Sequence, residues 1–124
     1  MQWLAVALGG ALGAMGRLAL VTWLFPVMGS RFPLGTLVAN WLGCFLAGLV
    51  YVLIVDKGLL PPEYRPLLIT GFIGALTTFS SFSLDALVLW ENGHGTTALV
   101  YAFLTFVGCL VAVWGSVQWT RSVF

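Results

Sequence analysis

Four long apolar runs, at roughly residues 3–25, 33–55, 66–90 and 97–120, are parted only by short knots of proline, glycine and charge. The knots read F-P-V-M-G-S-R-F-P (25–33), D-K-G-L-L-P-P-E-Y-R-P (56–66) and E-N-G-H-G (91–95), and such clusters punctuate helices rather than continue them. Each run supplies the ~20 residues that an α-helix needs to cross about 30 Å of hydrocarbon. Membrane strands would be about half as long and would alternate polar with apolar. Charge agrees, because 7% of the 124 residues are charged, against about 25% in a soluble domain. The expectation is an all-α protein of the lipid bilayer, one integral membrane domain over 1–124 with four transmembrane helices. So little chain lies outside the runs that a separate soluble domain, a long linker, a nucleic-acid-binding basic patch and a soluble protein partner are not expected. Nor is the first run read as a cleaved leader, since it lacks a basic start and carries Arg17 inside its apolar stretch.

Basic residues near helix ends orient a membrane chain. With four spans, Lys57, Arg65 and Arg121 share one face, while Arg31, and with it Arg17, belong to the other. Three against two is hardly a bias. Either a few basic residues suffice to fix one orientation, or the chain inserts both ways and assembles as an antiparallel pair. Size favours assembly, because a four-helix bundle this small fills its own centre with side chains, and any pore must then lie between subunits or on a subunit's flank. Gly9-x-x-x-Gly13, Gly43-x-x-x-Ala47 and Gly108-x-x-x-Ala112 offer small residues for close helix contact.

Polar groups at depth in a bilayer are costly unless they face protein or water. The chain has few: Arg17 in the first run, Asn40 with Thr36 a turn before it in the second, T-T-F-S-S-F-S-L-D (77–85) in the third, and Tyr101, Thr105, Ser116 and Gln118 in the fourth. Asn40 brings two N–H donors and one acceptor, for helix packing or for something in transit. Arg17 is either an interfacial anchor or part of a site. Five hydroxyls within residues 77–83 exceed what packing asks for, and hydroxyls after Gly74 can compete with the helical backbone and break the third span. On a helix Phe79 and Phe82 fall on one face, and ring edges turned inward favour an anion without a full charge. Donors dominate this inventory, which suits a small anion. Cys44 and Cys109 are read as mid-helix packing residues, and His94, alone between glycines, is not read as a metal ligand.

At these residues the sequence resembles the CrcB/Fluc family of fluoride channels. G-G-A-L-G-A-M-G-R (9–17), P-L-G-T-L-V-A-N-W-L-G (33–43) and G-F-I-G-A-L-T-T-F-S-S-F-S (71–83) stand in the family's order, and the likeness covers nearly the whole chain. It implies a dual-topology antiparallel homodimer in the bacterial cell membrane, with two fluoride pathways along the subunit interface. It also implies a break in the third helix, where backbone carbonyls at Gly74 and Thr77 of both subunits hold a structural Na+ at the dimer centre. Phe79 and Phe82 then line the pathways with ring edges, Asn40 gives an amide with Thr36 beside it, and Ser80 and Ser81 belong to a hydroxyl track. Tyr101 falls where a pore-lining tyrosine is found, and Arg17 and Asp85 are supporting. Ser81 stands for the family's usual threonine, Asp85 for its glutamate and Ala75 for a frequent glycine.

On this reading the protein is no enzyme but a passive conduit that lets cytoplasmic fluoride leave, since no G-x-x-x-x-G-K-[ST] loop is present to couple transport to nucleotide hydrolysis. Two other readings compete with it. A proton-coupled exporter of the small multidrug type requires a titratable carboxylate in its first helix, where this chain has Arg17. A non-transporting membrane assembly subunit would leave vesicles tight.

Overall fold

In hydrocarbon a backbone must satisfy its own hydrogen bonds, so apolar runs of this length coil into helices. The computed structural model describes residues 1–28 and 31–124, with Pro26, Val27 and Met28 described in backbone only. Its elements are α1 (Gln2–Met28), α2 (Leu34–Tyr51), α3 (66–76), α4 (Phe79–Glu91) and α5 (Gly95–Val123). A wider π turn, Val52–Asp56, prolongs α2, and a short 3-10 turn, Pro62–Tyr64, precedes α3. The element α3 opens as a π-helix, Pro66–Ile73, and closes with a single α turn, Gly74–Leu76. Four stretches are long and apolar enough to cross a membrane: Gln2–Phe25, Leu34–Asp56, Pro62–Glu91 and Gly95–Val123. Large apolar side chains such as Trp3, Leu12, Trp23, Phe103, Phe106 and Trp114 point outward, a surface that suits acyl chains and not water.

The helices pack chiefly as α1 on α3 and α2 on α5, with α4 against α5 and α1 touching α2. Glycine sets the first contact. A side-chain carbon at Gly9 would run into the Leu67 carbonyl oxygen and one at Gly13 into that of Phe72; at Gly71 it would lie 3.0 Å from the Val6 oxygen and 3.1 Å from the Gly10 nitrogen. The two backbones therefore touch with nothing between them, the approach that small residues permit in membranes. Gly43 is filled by the Thr77 side chain and Gly108 by the indole of Trp41, whose Nε1 donates to the Leu104 carbonyl at 3.0 Å. The glycines of all three small-residue triplets thus serve contacts within one chain.

Two apolar clusters fix the ends of the bundle. Leu37, Leu89, Ala98 and Tyr101 gather where α2 and α5 begin and α4 ends, while Val50, Ile54 and Ile73 gather where α2 ends. At the second end Arg121 Nε donates to Asp56 Oδ2 at 2.6 Å, joining the end of α5 to that of α2. The polar residues of the third span lie between the two clusters.

Candidate functional site

Leu76 closes α3, and Phe79 opens α4. Between them Thr77 (φ −81°, ψ 155°) and Thr78 (φ −154°, ψ 120°) are extended, whereas Gly74 stays helical at φ −60°, ψ −34°. Hydroxyls explain the geometry on both sides. Thr77 Oγ1 donates back to the Ile73 carbonyl at 3.0 Å, and Thr78 Oγ1 accepts the Ser81 N–H at 3.0 Å as the N-cap of α4. An extended pair inside a span leaves backbone groups without helical partners, so each needs another.

Asn40 meets part of that need from α2. Its Oδ1 accepts the Thr78 N–H at 2.7 Å and its Nδ2 donates to the Thr78 carbonyl at 3.1 Å, which imitates a neighbouring strand. An amide nitrogen has two hydrogens, so one N–H of Asn40 remains for the groove that this side chain lines. Arg17 acts from α1. Its Nε donates to the Ala75 carbonyl at 3.1 Å and its Nη1 to Ser81 Oγ at 3.3 Å, bridging α3 to α4 across the extended pair. Of the two roles open to Arg17 in the sequence, the interfacial anchor gives way to this inward position.

The remaining hydroxyls of the cluster have local partners. Ser83 Oγ donates to the Phe79 carbonyl at 2.9 Å, and the exposed Ser80 hydroxyl lies 3.3 Å from that of Thr78. Three carbonyls are different: those of Gly74, Leu76 and Thr77 receive no hydrogen bond among the described residues. No cluster of three His, Cys, Asp or Glu side chains occurs among the described residues.

A groove of about 700 Å³ opens on the flank beside the extended pair, with Asn40, Thr78, Phe79 and Phe82 on one wall and Thr105 and Cys109 of α5 on the other. Phe79 is 79% exposed and meets Phe82 edge to face, with centroids 5.5 Å apart and planes at 68°. Phe82 in turn lies 5.2 Å from the ring of Tyr101, and the fully buried Tyr101 donates its hydroxyl to Asp85 Oδ2 at 3.2 Å. Thr36, also buried, adjoins that pair. Thr105 Oγ1 is buried in the groove wall without a hydrogen-bond partner among the described residues. Sequence reasoning counted Thr105 among the polar residues of its span but did not choose it for the site. Its signal was the spacing, one helical turn after Tyr101 on the same face. Cys44 and Cys109 are both free thiols on the groove wall. Past Tyr101 and Asp85 a second cavity, of about 360 Å³, lies between the first and third connections, bordered by Arg31, Asn92 and His94.

Comparison with known proteins gives consistent matches. The family model described as "CrcB-like protein, Camphor Resistance (CrcB)" matches residues 4–117. The protein named "Fluoride-specific ion channel FluC" from Hahella chejuensis is 46% identical over 118 residues, covering 95% of this chain and 93% of that relative. Its namesake in Saccharophagus degradans is 46% identical over 112 residues, 90% and 83% of the two chains. That of Stutzerimonas stutzeri is 45% identical over 117 residues, 94% of each. The family match runs from α1 into the last turns of α5 and includes the Thr77–Thr78 pair.

Proposed function

This chain belongs to the CrcB-like protein family, and from that premise we propose that it is a fluoride-selective, passive channel of the cell membrane, built from two oppositely inserted copies around two pathways. The observation that carries the reading is the extended Thr77–Thr78 pair, clamped by Asn40 beside a groove bounded by Phe79 and Phe82. We read that pair as the helix break of the family. The curated relatives named above support fluoride as the ion.

Fluoride is small and tightly hydrated. To leave water it needs replacements at close range, yet to keep moving it must find no site that binds too well. Along the groove the chain offers weak donors in sequence: the remaining N–H of Asn40, the ring edges of Phe79 and Phe82, and the hydroxyl of Thr105. The other residues of the family reading flank this wall: Ser80 is exposed beside Thr78, Ser81 is held by Arg17, and Tyr101 is buried with Thr36 at Asp85. No lysine or arginine among the described residues lines this groove, so no full charge traps the anion. Arg17 acts on the pathway by holding the break open, through Ala75 and Ser81. Chloride, being larger, is turned away by width once a second copy closes the open side.

The free carbonyls of Gly74 and Thr77 fit the structural Na+ that the family reading assigns to the dimer centre. These two oxygens of each copy would hold it, and the ion, when bound, supplies positive charge that offsets converging carbonyl dipoles. Polar backbone left bare at this depth requires such a partner.

Efflux from reconstituted liposomes tests the function. Fluoride-loaded vesicles containing only this protein should empty when charge balance is supplied by an ionophore, while chloride-loaded vesicles stay full. Retention of fluoride would remove the reading, and equal loss of both anions would remove the selectivity.

A further inference from the structure

An acid stands beside the route just proposed. Asp85 lies on α4 one turn beyond Phe82, half-buried, and accepts the hydroxyl of Tyr101 at 3.2 Å. Its carboxylate borders the second cavity, about 360 Å³, together with Arg31, Val88, Asn92 and His94. An anion arriving from this end therefore meets a negative charge before it reaches the phenylalanines. Like charge at a narrow passage repels, and low-dielectric walls focus the field rather than spread it.

Arg31 faces the same cavity. It is exposed, and the ion pair found among the described residues joins Arg121 to Asp56 at the other end of the bundle, not Arg31 to Asp85. The guanidinium and the carboxylate thus border one space without neutralising each other by contact. Asp85 has a separate task, since its bond to Tyr101 fixes the phenol that packs against Phe82. Removing the acid would free the ring; keeping it calls for a counter-charge.

We infer that Arg31 is a specificity-determining residue at the mouth of the pathway: its guanidinium offsets the field of Asp85 and makes the cavity a collecting site for small anions, with N–H donors from Asn92 and His94 beside it. The inference rests on the fluoride-channel reading for its cargo but not for its electrostatics, and the two can be tested apart.

The first test reads the field directly. Val88→Cys, in a chain carrying Cys44→Ala and Cys109→Ala, places a thiol in the cavity wall. It is labelled with an anionic sulfonate and with a cationic trimethylammonium methanethiosulfonate at constant pH. Adding Arg31→Gln should lower the anionic-to-cationic rate ratio by roughly tenfold at low salt. The difference should vanish near 1 M salt, where the Debye length is about 3 Å. An unchanged ratio would overturn the inference. The second test is fluoride efflux at low ionic strength. Arg31→Gln should slow it several-fold, and Asp85→Asn added to Arg31→Gln should restore it, because an asparagine oxygen still accepts the Tyr101 hydroxyl. Wild-type efflux from Arg31→Gln would overturn the role of Arg31 and leave the channel reading intact. If unaltered protein passes no fluoride, the channel reading fails instead, and the labelling ratio still decides whether the mouth gathers anions.

Discussion

Asn40 commits both ends of its amide to one residue, accepting from the Thr78 N–H and donating to the Thr78 carbonyl. Two interhelical bonds of this kind stabilise a membrane protein by only about 1 kcal/mol in all, at the ~0.6 kcal/mol average of each. The structural task of the amide is to satisfy the Thr78 backbone groups that the extended pair leaves without helical partners, and the channel reading adds a second task, which mutation separates. Asn40→Asp replaces the donating nitrogen with an anionic oxygen, which repels the Thr78 carbonyl and any passing anion alike. Fluoride efflux should fall below detection, while size-exclusion chromatography in detergent still shows folded protein; an active variant would mean that the amide is not on the route. Phe82→Ile separates packing from chemistry differently. It keeps an apolar side chain between the Phe79 and Tyr101 rings but removes the polar ring edge. Folded yield should be retained and flux should drop; flux at the wild-type level would take ring edges out of the mechanism. That Asn40 and Arg17 matter was legible in the sequence, because lipid penalises both. What they hold was not, since Thr78 lies 38 residues from Asn40 and Ala75 lies 58 from Arg17, and only the fold brings such positions together.

The four spans were legible because each is a local property, an apolar run bounded by proline, glycine and charge. The π-helical openings of α3 and the end of α2 were not, because no residue type in P-L-L-I-T-G-F-I or V-L-I-V-D demands a wider turn. The small-residue triplets show a third case: the sequence marked the right glycines but left their partners open, and their neighbours prove to be α3 and the chain's own Thr77 and Trp41. A contrast along α1 tests that assignment. Gly13→Ala would drive a methyl into the Phe72 carbonyl, whereas the same methyl at Gly16 would meet a Leu76 side-chain carbon at an ordinary 3.7 Å. Forcing a packed contact apart costs about 1–3 kcal/mol. Thermal unfolding in detergent should therefore show Gly13→Ala markedly less stable than the parent and Gly16→Ala close to it. Equal behaviour of the two would mean that α1 does not rest on α3 through Gly13.

Orientation belongs to the whole molecule, and it is set by loop charge during insertion, before any packing contact exists. Arg17 therefore still counts for the Arg31 side although the folded chain turns it inward to Ala75 and Ser81. Asp56 does not cancel Arg121 in that count either, despite their 2.6 Å ion pair, because acids weigh little in orientation. The tally stays at Lys57, Arg65 and Arg121 against Arg17 and Arg31, a margin of one charge. The antiparallel pair proposed above requires both orientations in the same membrane. Glu63→Lys should hold the 56–66 connection in the cytoplasm, and Lys57→Gln and Arg65→Gln with Thr96→Lys should hold it outside, each by a margin of two charges instead of one. Each variant expressed alone would then lack its antiparallel partner and pass little fluoride. Co-expressed, the two should restore efflux, with impermeant thiol labelling of single cysteines in the 91–95 connection reporting one side for each variant and both sides for the parent. Full efflux from a variant labelled on one side only would show that parallel or single copies conduct, and the antiparallel assembly would have to be abandoned.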